Sequence, residues 1–283
     1  MQQVNERKSI IKELIEIIKE SQVISRFNIK SKDIRIGVFY TGIVLNTGHA
    51  GMAYTPVQEI PEAVCCPRSH AKMPQAGNLL HLPTENLMEY ALDDNVLKSA
   101  VGIAAINALS ALLLEDEQCP YKPTLYGDAL DLVHITEDDA VIMVGAFPPF
   151  IKKIREVSNK LSVIEKNPRA VGKDENFTIE PAERLQEIIP QGNILIITGV
   201  TLVNHTLEPI LRLAGNAREI IVVGPTASVY PEPLFKRGVT ILGGVKVTDA
   251  TKMIHLIGEG GSGYDFFEQC AQKIVMRQKN NRR

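Results

Sequence analysis

The chain has 283 residues, 45% hydrophobic and 23% charged, which is long and apolar enough for two globular domains and excludes a disordered protein. The formal net charge of -2 at pH 7 gives no global basic field, which disfavours sequence-independent binding of nucleic acid. The four cysteines include no C-x-x-C pair, which argues against a zinc knuckle or a thioredoxin-type motif and indicates free thiols in a reducing compartment.

The first segment of the chain has a helical pattern. From Arg7 to Glu20, apolar side chains recur at helical spacing among lysines and glutamates, which predicts an amphipathic helix and not a signal peptide. No apolar run approaches the roughly 20 residues that cross a bilayer. We therefore expect a cytoplasmic, soluble protein with no membrane partner.

Two strand-like segments come next. The sequence predicts one strand from Ile34 to Leu45, a turn from Asn46 to His49 and a second strand from Ala50 to Thr55, and therefore a β-hairpin. A polar, proline-bearing loop then extends from Val57 to Leu82.

This region carries the candidate metal ligands. Thiolate and imidazole groups suit a soft or borderline cation such as a divalent heavy metal. The candidates are His49, Cys65, Cys66 and His70, with His81 as a further member. Their spacing matches no recognised metal signature, so the alternative is that they are ordinary surface or half-buried residues.

Two helices complete the first half of the chain. Thr84 and Glu85 are expected to open a helix, and Asp93 or Asp94 to cap a longer one that is apolar on nearly every side and therefore buried between layers. The hairpin and helices predict an α+β domain. A segment rich in Pro, Gly and Asp follows, from Cys119 to Asp131, and the predicted domains are residues 1–125 and 126–283.

The second half predicts an α/β domain. Apolar, β-branched runs begin at Val141, Leu161, Asn193 and Glu219 and alternate with helical sequence, which indicates a parallel sheet covered on both faces. A further run from Val239 is followed by two short helices. Ligands of such sheets lie beyond the carboxyl ends of the strands, where helix N-termini converge.

The turn after the first of these strands departs from a dinucleotide fingerprint. Gly145-Ala-Phe-Pro-Pro149 lacks the second and third glycines that let the backbone approach a pyrophosphate. Glu165 follows the next strand about 20 residues on, where an acidic residue commonly binds ribose hydroxyls. These features favour a nucleoside, such as an S-adenosyl compound, over NAD; the alternative is a solvated or N-capping glutamate.

The turns after the later strands are also polar. Thr198, Thr201 and Asn204 place hydroxyls and an amide at a helix start, which suits a carboxylate or phosphate, although helix capping would explain them equally. The Gly224 to Thr226 turn is similar. The pair Gly243-Gly244 permits close approach of a ligand or of the other domain.

One glycine-rich motif is interpreted as structural. Gly258 to Gly263 fits G-x-G-x-x-G, but it follows a predicted helix capped by Asp249, whereas a dinucleotide fingerprint follows a strand. We interpret it as a helix stop and a flexible loop that could act as a lid.

Several of these motifs together resemble a known family. They are Gly102 to Leu109, Val144 to Phe150, Ile197 to Asn204, Val223 to Thr226 and Leu242 to Val245, and in this order they resemble the heavy-metal chelation family over nearly the whole chain. The resemblance implies an α/β protein in which an enolase-N-terminal-like α+β domain precedes a Rossmann-like parallel-sheet domain. It also implies a site in the cleft between the domains and a role in handling heavy metals or making a chelator. The implied cleft positions are Asn107, Gly145, Phe147, Pro148, Glu165, Thr198, Thr201, Asn204, Gly224, Pro225, Thr226 and Gly244.

Three functions remain open at this level. The first is a metal-homeostasis protein that binds a small anionic or nucleoside-like ligand in the cleft. The second is a transferase or synthase that builds a chelator from S-adenosylmethionine or a nucleotide, with Glu165 or Asp249 as the catalytic acid or base. The third is a module that binds metal directly through the His and Cys loop. Large apolar side chains also lead us to expect self-association.

Overall fold

The computed structural model describes residues 9–59, 73, 75–125, 127–166 and 177–278. Its amino-terminal part combines helices with a three-stranded antiparallel sheet in the order β1-β2-β3. The helices are α1 (Ser9–Glu20), α2 (Val23–Arg26), α3 (Thr84–Glu89) and α4 (Val96–Glu115), and the strands are β1 (Ser31–Ile36), β2 (Tyr40–Leu45) and β3 (Ala50–Tyr54).

The segment predicted as one strand from Ile34 to Leu45 is in fact two strands. Strands β1 and β2 pair antiparallel, with Ile34 opposite Ile43, and a turn closes where the Gly37 N–H donates to the Tyr40 carbonyl at 2.9 Å. The prediction was wrong because the run is rich in strand-forming residues and its two glycines do not reveal which one marks a turn: the chain turns after Gly37, whereas Gly42 lies inside β2. The hairpin between β2 and β3 is confirmed, with Val44 opposite Ala50.

Helix α4 is the central helix of the amino-terminal part. Its N-cap is Asn95 and neither Asp93 nor Asp94, because the Asn95 side chain accepts from the N–H groups of Leu97 and Lys98. The predicted burial is confirmed along most of its length. Among the described residues, only this helix is long and apolar enough to cross a membrane by length and composition, and 67% of its most apolar window is buried inside the protein.

The carboxyl-terminal part contains an eight-stranded sheet in the order β4-β11-β10-β9-β8-β5-β6-β7. Its strands are β4 (Thr124–Leu125), β5 (Val141–Val144), β6 (Leu161–Ile164), β7 (Thr178–Glu180), β8 (Ile194–Thr198), β9 (Glu219–Val223), β10 (Ile241–Val247) and β11 (Ala271–Arg277). Its helices are α5 (Pro148–Arg155), α6 (Leu185–Ile188), α7 (Val200–Val203), α8 (Leu207–Leu213), α9 (Glu232–Phe235), α10 (Ala250–Gly258) and α11 (Gly263–Phe267).

The predicted parallel sheet is confirmed, and three of its strands were missed. Strands β5 to β10 run parallel, whereas β11 pairs antiparallel with β10, and β4 pairs antiparallel with β11. Strands β4 and β7 are too short for a periodic signal. Strand β11 carries Gln272, Lys273 and Arg277 among its apolar residues, which hides the strand pattern.

Both faces of the large sheet are buried. On one face, side chains such as Ile142, Leu195 and Val222 share a core with residues of α1 and α4. On the other face, residues such as Met143 and Ile196 pack against α5. The amino-terminal helices therefore lie on one face of the sheet. The domain division at residue 125 stays a prediction.

Candidate functional site

The parallel strands place the predicted site residues along one edge of the large sheet. Strands β7, β6, β5, β8, β9 and β10 follow the order 3-2-1-4-5-6, so the strand order reverses between β5 and β8. Gly145 directly follows β5, Glu165 follows β6, Thr198 ends β8 and Gly224 follows β9. In open α/β sheets this switch point is the usual position of the ligand crevice.

Gly145 sits at the switch point in a conformation that favours glycine. Its φ is +84°, and a Cβ on this residue would lie 2.7 Å from Thr198 Cγ2. The absence of a side chain therefore lets the ends of β5 and β8 approach each other.

A cavity of about 580 Å³, here called the polar cavity, opens at this edge. The amino-terminal part contributes Tyr54, Pro56, Gln58 and Glu59 to its wall. The sheet edge contributes Gly145, Ala146, Phe147, Glu165, Lys166, Thr198, Thr201 and Asn204, with Ala182 and Leu185 beside them. The cavity therefore lies between the two parts of the chain, and its volume is that of an ordinary small-molecule site.

Glu165 is fixed in the wall of the polar cavity. One carboxylate oxygen accepts from the Ala146 N–H at 2.9 Å, so the side chain reaches across from the end of β6 to the turn after β5. A backbone N–H donor holds the carboxylate in one orientation. This geometry fits the predicted role of Glu165 at the cavity.

Two further charged residues of the cavity were missed in the sequence. Glu59 accepts from Asn204 Nδ2 at 3.1 Å and from Lys166 Nζ at 3.1 Å. Glu59 belongs to a loop without a recognisable motif, and only the fold brings it near residues 145 positions away. The described part of the wall carries two carboxylates and one lysine and is therefore negative, which favours hydroxyl or amine groups on a ligand.

The pKa of Tyr54 reflects the negative charge of the polar cavity wall. Burial raises the pKa of Tyr54 above its ordinary value, and the nearby Glu165 and Glu59 carboxylates raise it further. The phenol therefore stays protonated and remains a hydrogen-bond donor at neutral pH.

The polar side chains after β8 mainly hold the protein together. Thr201 is buried and its hydroxyl donates to the Thr198 carbonyl at 2.6 Å. Asn204 donates to Glu59, and its carbonyl oxygen accepts from the Thr206 hydroxyl at 2.7 Å. Neither residue caps a helix, because α7 and α8 have Gly199 and Thr206 as their N-caps and neither N-cap makes a side-chain hydrogen bond. Thr201 and Asn204 therefore hold neighbouring segments together, and the contacts do not favour the binding of an acidic group.

A second cavity of about 440 Å³, here called the aromatic cavity, adjoins the first. It holds the predicted residues Phe147, Pro148, Gly224, Pro225 and Gly244. Other lining residues include Tyr40, Phe150, Val223, Val245, Tyr264, Phe267 and Ile274, with Asp128 and Lys273 as its charged members. Among the described residues, only Ala146 and Phe147 line both cavities, so the implied cleft positions are divided between two cavities.

Asn107 and Thr226 line neither cavity and are both buried. Asn107 Nδ2 donates to the Met52 carbonyl at 2.8 Å and to the Thr226 carbonyl at 3.1 Å. The Thr226 hydroxyl accepts from the Tyr54 N–H at 2.9 Å. These two residues therefore join β3 to the turn after β9 and position the Tyr54 side of the polar cavity.

Asp249 also lies outside both cavities. Its side chain caps α10 by accepting from the Lys252 N–H at 2.9 Å, as the sequence predicts. The glycine-rich motif follows this helix and not a strand, and Ser262 and Gly263 reach the aromatic cavity. A catalytic role for Asp249 stays a prediction that this position does not support.

The predicted metal ligands are only partly within the described residues. His49 Nδ1 lies 2.9 Å from the Thr47 hydroxyl and Nε2 lies 3.0 Å from a Glu115 carboxylate oxygen, so both ring nitrogens have partners. Cys65, Cys66 and His70 lie outside the described residues. Within the described ranges, no group of three or more His, Cys, Asp or Glu side chains could hold a metal ion.

Comparisons with known proteins agree on one family. The DUF364 model matches residues 128–276 and the DUF4213 model matches residues 13–110, and both carry the description "Putative heavy-metal chelation". An uncharacterized protein of Methanocaldococcus jannaschii is 30% identical over 207 residues, which are 68% of this chain and 71% of the relative.

Two solved structures share the fold. A DUF364 protein of unknown function from Pyrococcus horikoshii is 23% identical with a TM-score of 0.76, covering 95% of this chain and all of the other. A DUF364 protein of unknown function from Desulfitobacterium hafniense is 22% identical with a TM-score of 0.74, covering 96% and 98% of the two chains. At these identities the likeness concerns the fold alone.

Proposed function

The chain belongs to the DUF364 family of heavy-metal chelation, and on that premise we propose that it binds a nucleoside-like molecule in the polar cavity as part of metal handling. The observation that carries the proposal is the position of Glu165. Its carboxylate lies at the end of β6, beside the switch point and in the wall of a cavity of about 580 Å³. An acidic residue at this position of a 3-2-1-4-5-6 sheet commonly accepts hydrogen bonds from ribose hydroxyls.

The neighbouring wall suits the base of such a ligand. Ala182 and Leu185 line the polar cavity together with Ile164, the last residue of β6. They offer apolar surface close to the carboxylate of Glu165. A ribose bound to Glu165 would therefore place its base against this surface and its 5′ end toward Gly145.

The charge of the wall argues against phosphate. Among the lining residues that the structure describes, the carboxylates of Glu59 and Glu165 outnumber the ammonium group of Lys166, and the turn after Gly145 lacks the glycines of a phosphate-binding loop. Of the anionic and the nucleoside-like ligands that the sequence leaves open, the geometry supports the second. Neutral or cationic compounds such as adenosine and S-adenosylmethionine fit it better than nucleotides.

Isothermal titration calorimetry tests this proposal. We expect adenosine and S-adenosylmethionine to bind and ATP to bind more weakly. Glu165→Gln should lower the affinity for adenosine and for S-adenosylmethionine by roughly tenfold or more, because it removes the charge that strengthens the hydrogen bonds to the ribose hydroxyls. Glu20→Gln, an exposed glutamate at the end of α1, is the matched control. Unchanged affinity in Glu165→Gln would remove the assigned role.

Two related functions stay predictions. Turnover of S-adenosylmethionine by the purified protein would show the transferase or synthase chemistry that the sequence leaves open. Direct metal binding through Cys65 and Cys66 is tested by metal analysis of the freshly purified protein beside the double serine variant. Equal metal content in the two proteins would remove that function.

A further inference from the structure

The aromatic cavity has no part in the proposed nucleoside contacts. A nucleoside held by Glu165, with its base on Ala182 and Leu185, stays within the polar cavity. The aromatic cavity lies beyond Phe147, at the end of β9 and against the middle of β10 and β11. Its volume of about 440 Å³ lies within the range of small-molecule sites.

Aromatic side chains and a glycine turn form part of the wall of the aromatic cavity. Phe147 and Phe150 lie with ring centroids 5.7 Å apart at an interplanar angle of 33°, and Phe267 and Tyr40 belong to other parts of the wall. At Gly224 a Cβ would meet no atom within 4 Å, so the backbone of this turn faces open space. A flat ring can lie on a peptide surface that has no side chain.

One aromatic side chain that lines the aromatic cavity is exposed to solvent. Tyr264 is 67% exposed although it lines a mainly apolar cavity. Covering an exposed ring with a ligand ring removes apolar surface from water and adds a stacking contact.

The charged groups of the wall neutralise each other. Lys273 Nζ lies 2.8 Å from a carboxylate oxygen of Asp128 and 5.5 Å from the centroid of the Phe267 ring. The described lining residues of this cavity therefore carry no net charge, in contrast to those of the polar cavity.

We propose that the aromatic cavity binds a planar, uncharged aromatic ring against Phe147 and Tyr264, and that this ring belongs to a second molecule beside the one in the polar cavity. The second-molecule assignment rests on the proposed nucleoside site, whereas the ring site rests on its own residues. Because the two cavities share Ala146 and Phe147, the two molecules would lie next to each other.

A matched pair of probes tests the preference for a flat ring. 2-Naphthol and decahydro-2-naphthol share a carbon skeleton and a hydroxyl, but only the first is planar. We expect 2-naphthol to bind at least about fivefold more tightly in calorimetric or NMR titrations, since only a flat ring stacks. Equal affinities, or no binding of 2-naphthol, would overturn the proposal.

Variants of Tyr264 locate the ring. Because this side chain is exposed, Tyr264→Ala should fold normally and weaken 2-naphthol about fivefold, whereas Tyr264→Phe should stay within about twofold of the wild type. Phe27→Ala removes an exposed aromatic side chain that lines neither cavity, and should have no effect. Equal losses in Tyr264→Ala and Phe27→Ala, or no loss in either, would place the ring elsewhere.

Competition separates this inference from the proposed function. Saturating adenosine should leave the binding of 2-naphthol intact, and displacement would overturn the second-molecule assignment. If adenosine does not bind, or if Glu165→Gln leaves its affinity unchanged, the nucleoside site and the second-molecule assignment both fail, whereas the ring site stands. If Tyr264→Ala leaves the affinity for 2-naphthol unchanged, only the aromatic cavity assignment fails.

Discussion

Gly145 and Glu165 show how single residues define the candidate site. The positive φ of Gly145 lets the ends of β5 and β8 meet, and the Ala146 N–H that follows it holds the Glu165 carboxylate. Both residues were found in the sequence because strand ends and spacing locate them. Glu59 was not, because its position depends on how a loop of the amino-terminal part folds over the sheet.

Gly145→Ala tests the need for glycine at the switch point. A non-glycine residue in the left-handed region costs about 1–2 kcal/mol, and the new Cβ would also press on Thr198 Cγ2 at 2.7 Å. We expect the free energy of unfolding to fall by about 2 kcal/mol or more, measured by urea denaturation. Gly215→Ala, where a Cβ meets no atom within 4 Å, should change it by under about 0.5 kcal/mol. Equal effects would contradict the steric argument.

The titration of Tyr54 tests the field of the polar cavity. Burial and then the Glu165 and Glu59 carboxylates raise the pKa of this phenol. Removing one of these charges should therefore lower the pKa of Tyr54, although burial keeps it above the ordinary value. NMR titration of labelled tyrosine in Glu165→Gln measures the change. A pKa of Tyr54 that is the same in the variant and the wild type would show that Glu165 lies too far from the phenol.

At the scale of elements, the central parallel strands could be predicted from their residues, whereas the outer strands of the sheet could not. The apolar, β-branched runs that begin at Val141, Leu161, Asn193 and Glu219 became β5, β6, β8 and β9. Their type is predictable because a strand buried on both faces needs no polar alternation. Strand β11 and the turn at Gly37 were missed, because charged residues mask the first and apolar neighbours mask the second.

A buried carboxylate links the amino ends of the parallel strands, opposite the candidate site. Asp139 precedes β5 and accepts from Arg218 Nη2 at 2.8 Å, from the Thr136 N–H at 2.7 Å and from Asn193 Nδ2 at 2.9 Å. Burial opposes ionisation, but the hydrogen bonds from Arg218 and Thr136 outweigh it and hold the pKa of Asp139 below its ordinary value. The amino ends of β5, β8 and β9 are thereby joined.

Asp139→Asn should make stability less dependent on acid pH. A lowered folded-state pKa stabilises the protein above the unfolded pKa of about 3.9, and this contribution is lost as the pH falls through the folded pKa. At pH 7 we expect a loss of about 2 kcal/mol, discounted because Arg218 is partly exposed. Denaturation between pH 2 and 7 should show the gap to the wild type narrowing below about pH 4. A constant gap would contradict the linkage.

At the scale of the whole molecule, distant segments of the chain meet at Glu208. This buried carboxylate accepts from the Ser9 N–H at 3.0 Å, and from the Ser9 hydroxyl, at the start of α1. Arg237 Nε donates to Glu208 at 3.3 Å, and Arg237 Nη1 donates to Glu13 at 2.9 Å. These hydrogen bonds attach helix α1 to the carboxyl-terminal part. The negative charge of Glu208 also stabilises the N-terminus of α1 through the helix dipole.

Glu208→Ala should weaken the attachment of α1 to the carboxyl-terminal part. It leaves the donors at the start of α1 and Arg237 Nε without their acceptor, which costs on the order of 2–3 kcal/mol. Hydrogen exchange should accelerate first in α1. Glu16→Ala, an exposed glutamate of the same helix, is the control and should stay near the wild type. Uniform acceleration across the chain, or none in α1, would contradict this role.

The site as a whole was predictable in place but not in form. Topology placed Gly145, Glu165, Thr198 and Gly224 at one sheet edge, as the sequence predicts. The two cavities meet at Ala146 and Phe147, and the wall of the polar cavity is completed by Tyr54 and Glu59 from the amino-terminal part. Such contacts between segments far apart in sequence leave no periodic signal.

A crystal structure of the protein grown with saturating adenosine tests the central claim most directly. The account predicts density in the polar cavity, with the ribose hydroxyls within hydrogen-bonding distance of Glu165 and the base against Ala182 and Leu185. Density confined to the aromatic cavity, or a ribose turned away from Glu165, would contradict it, as would an empty polar cavity at saturation.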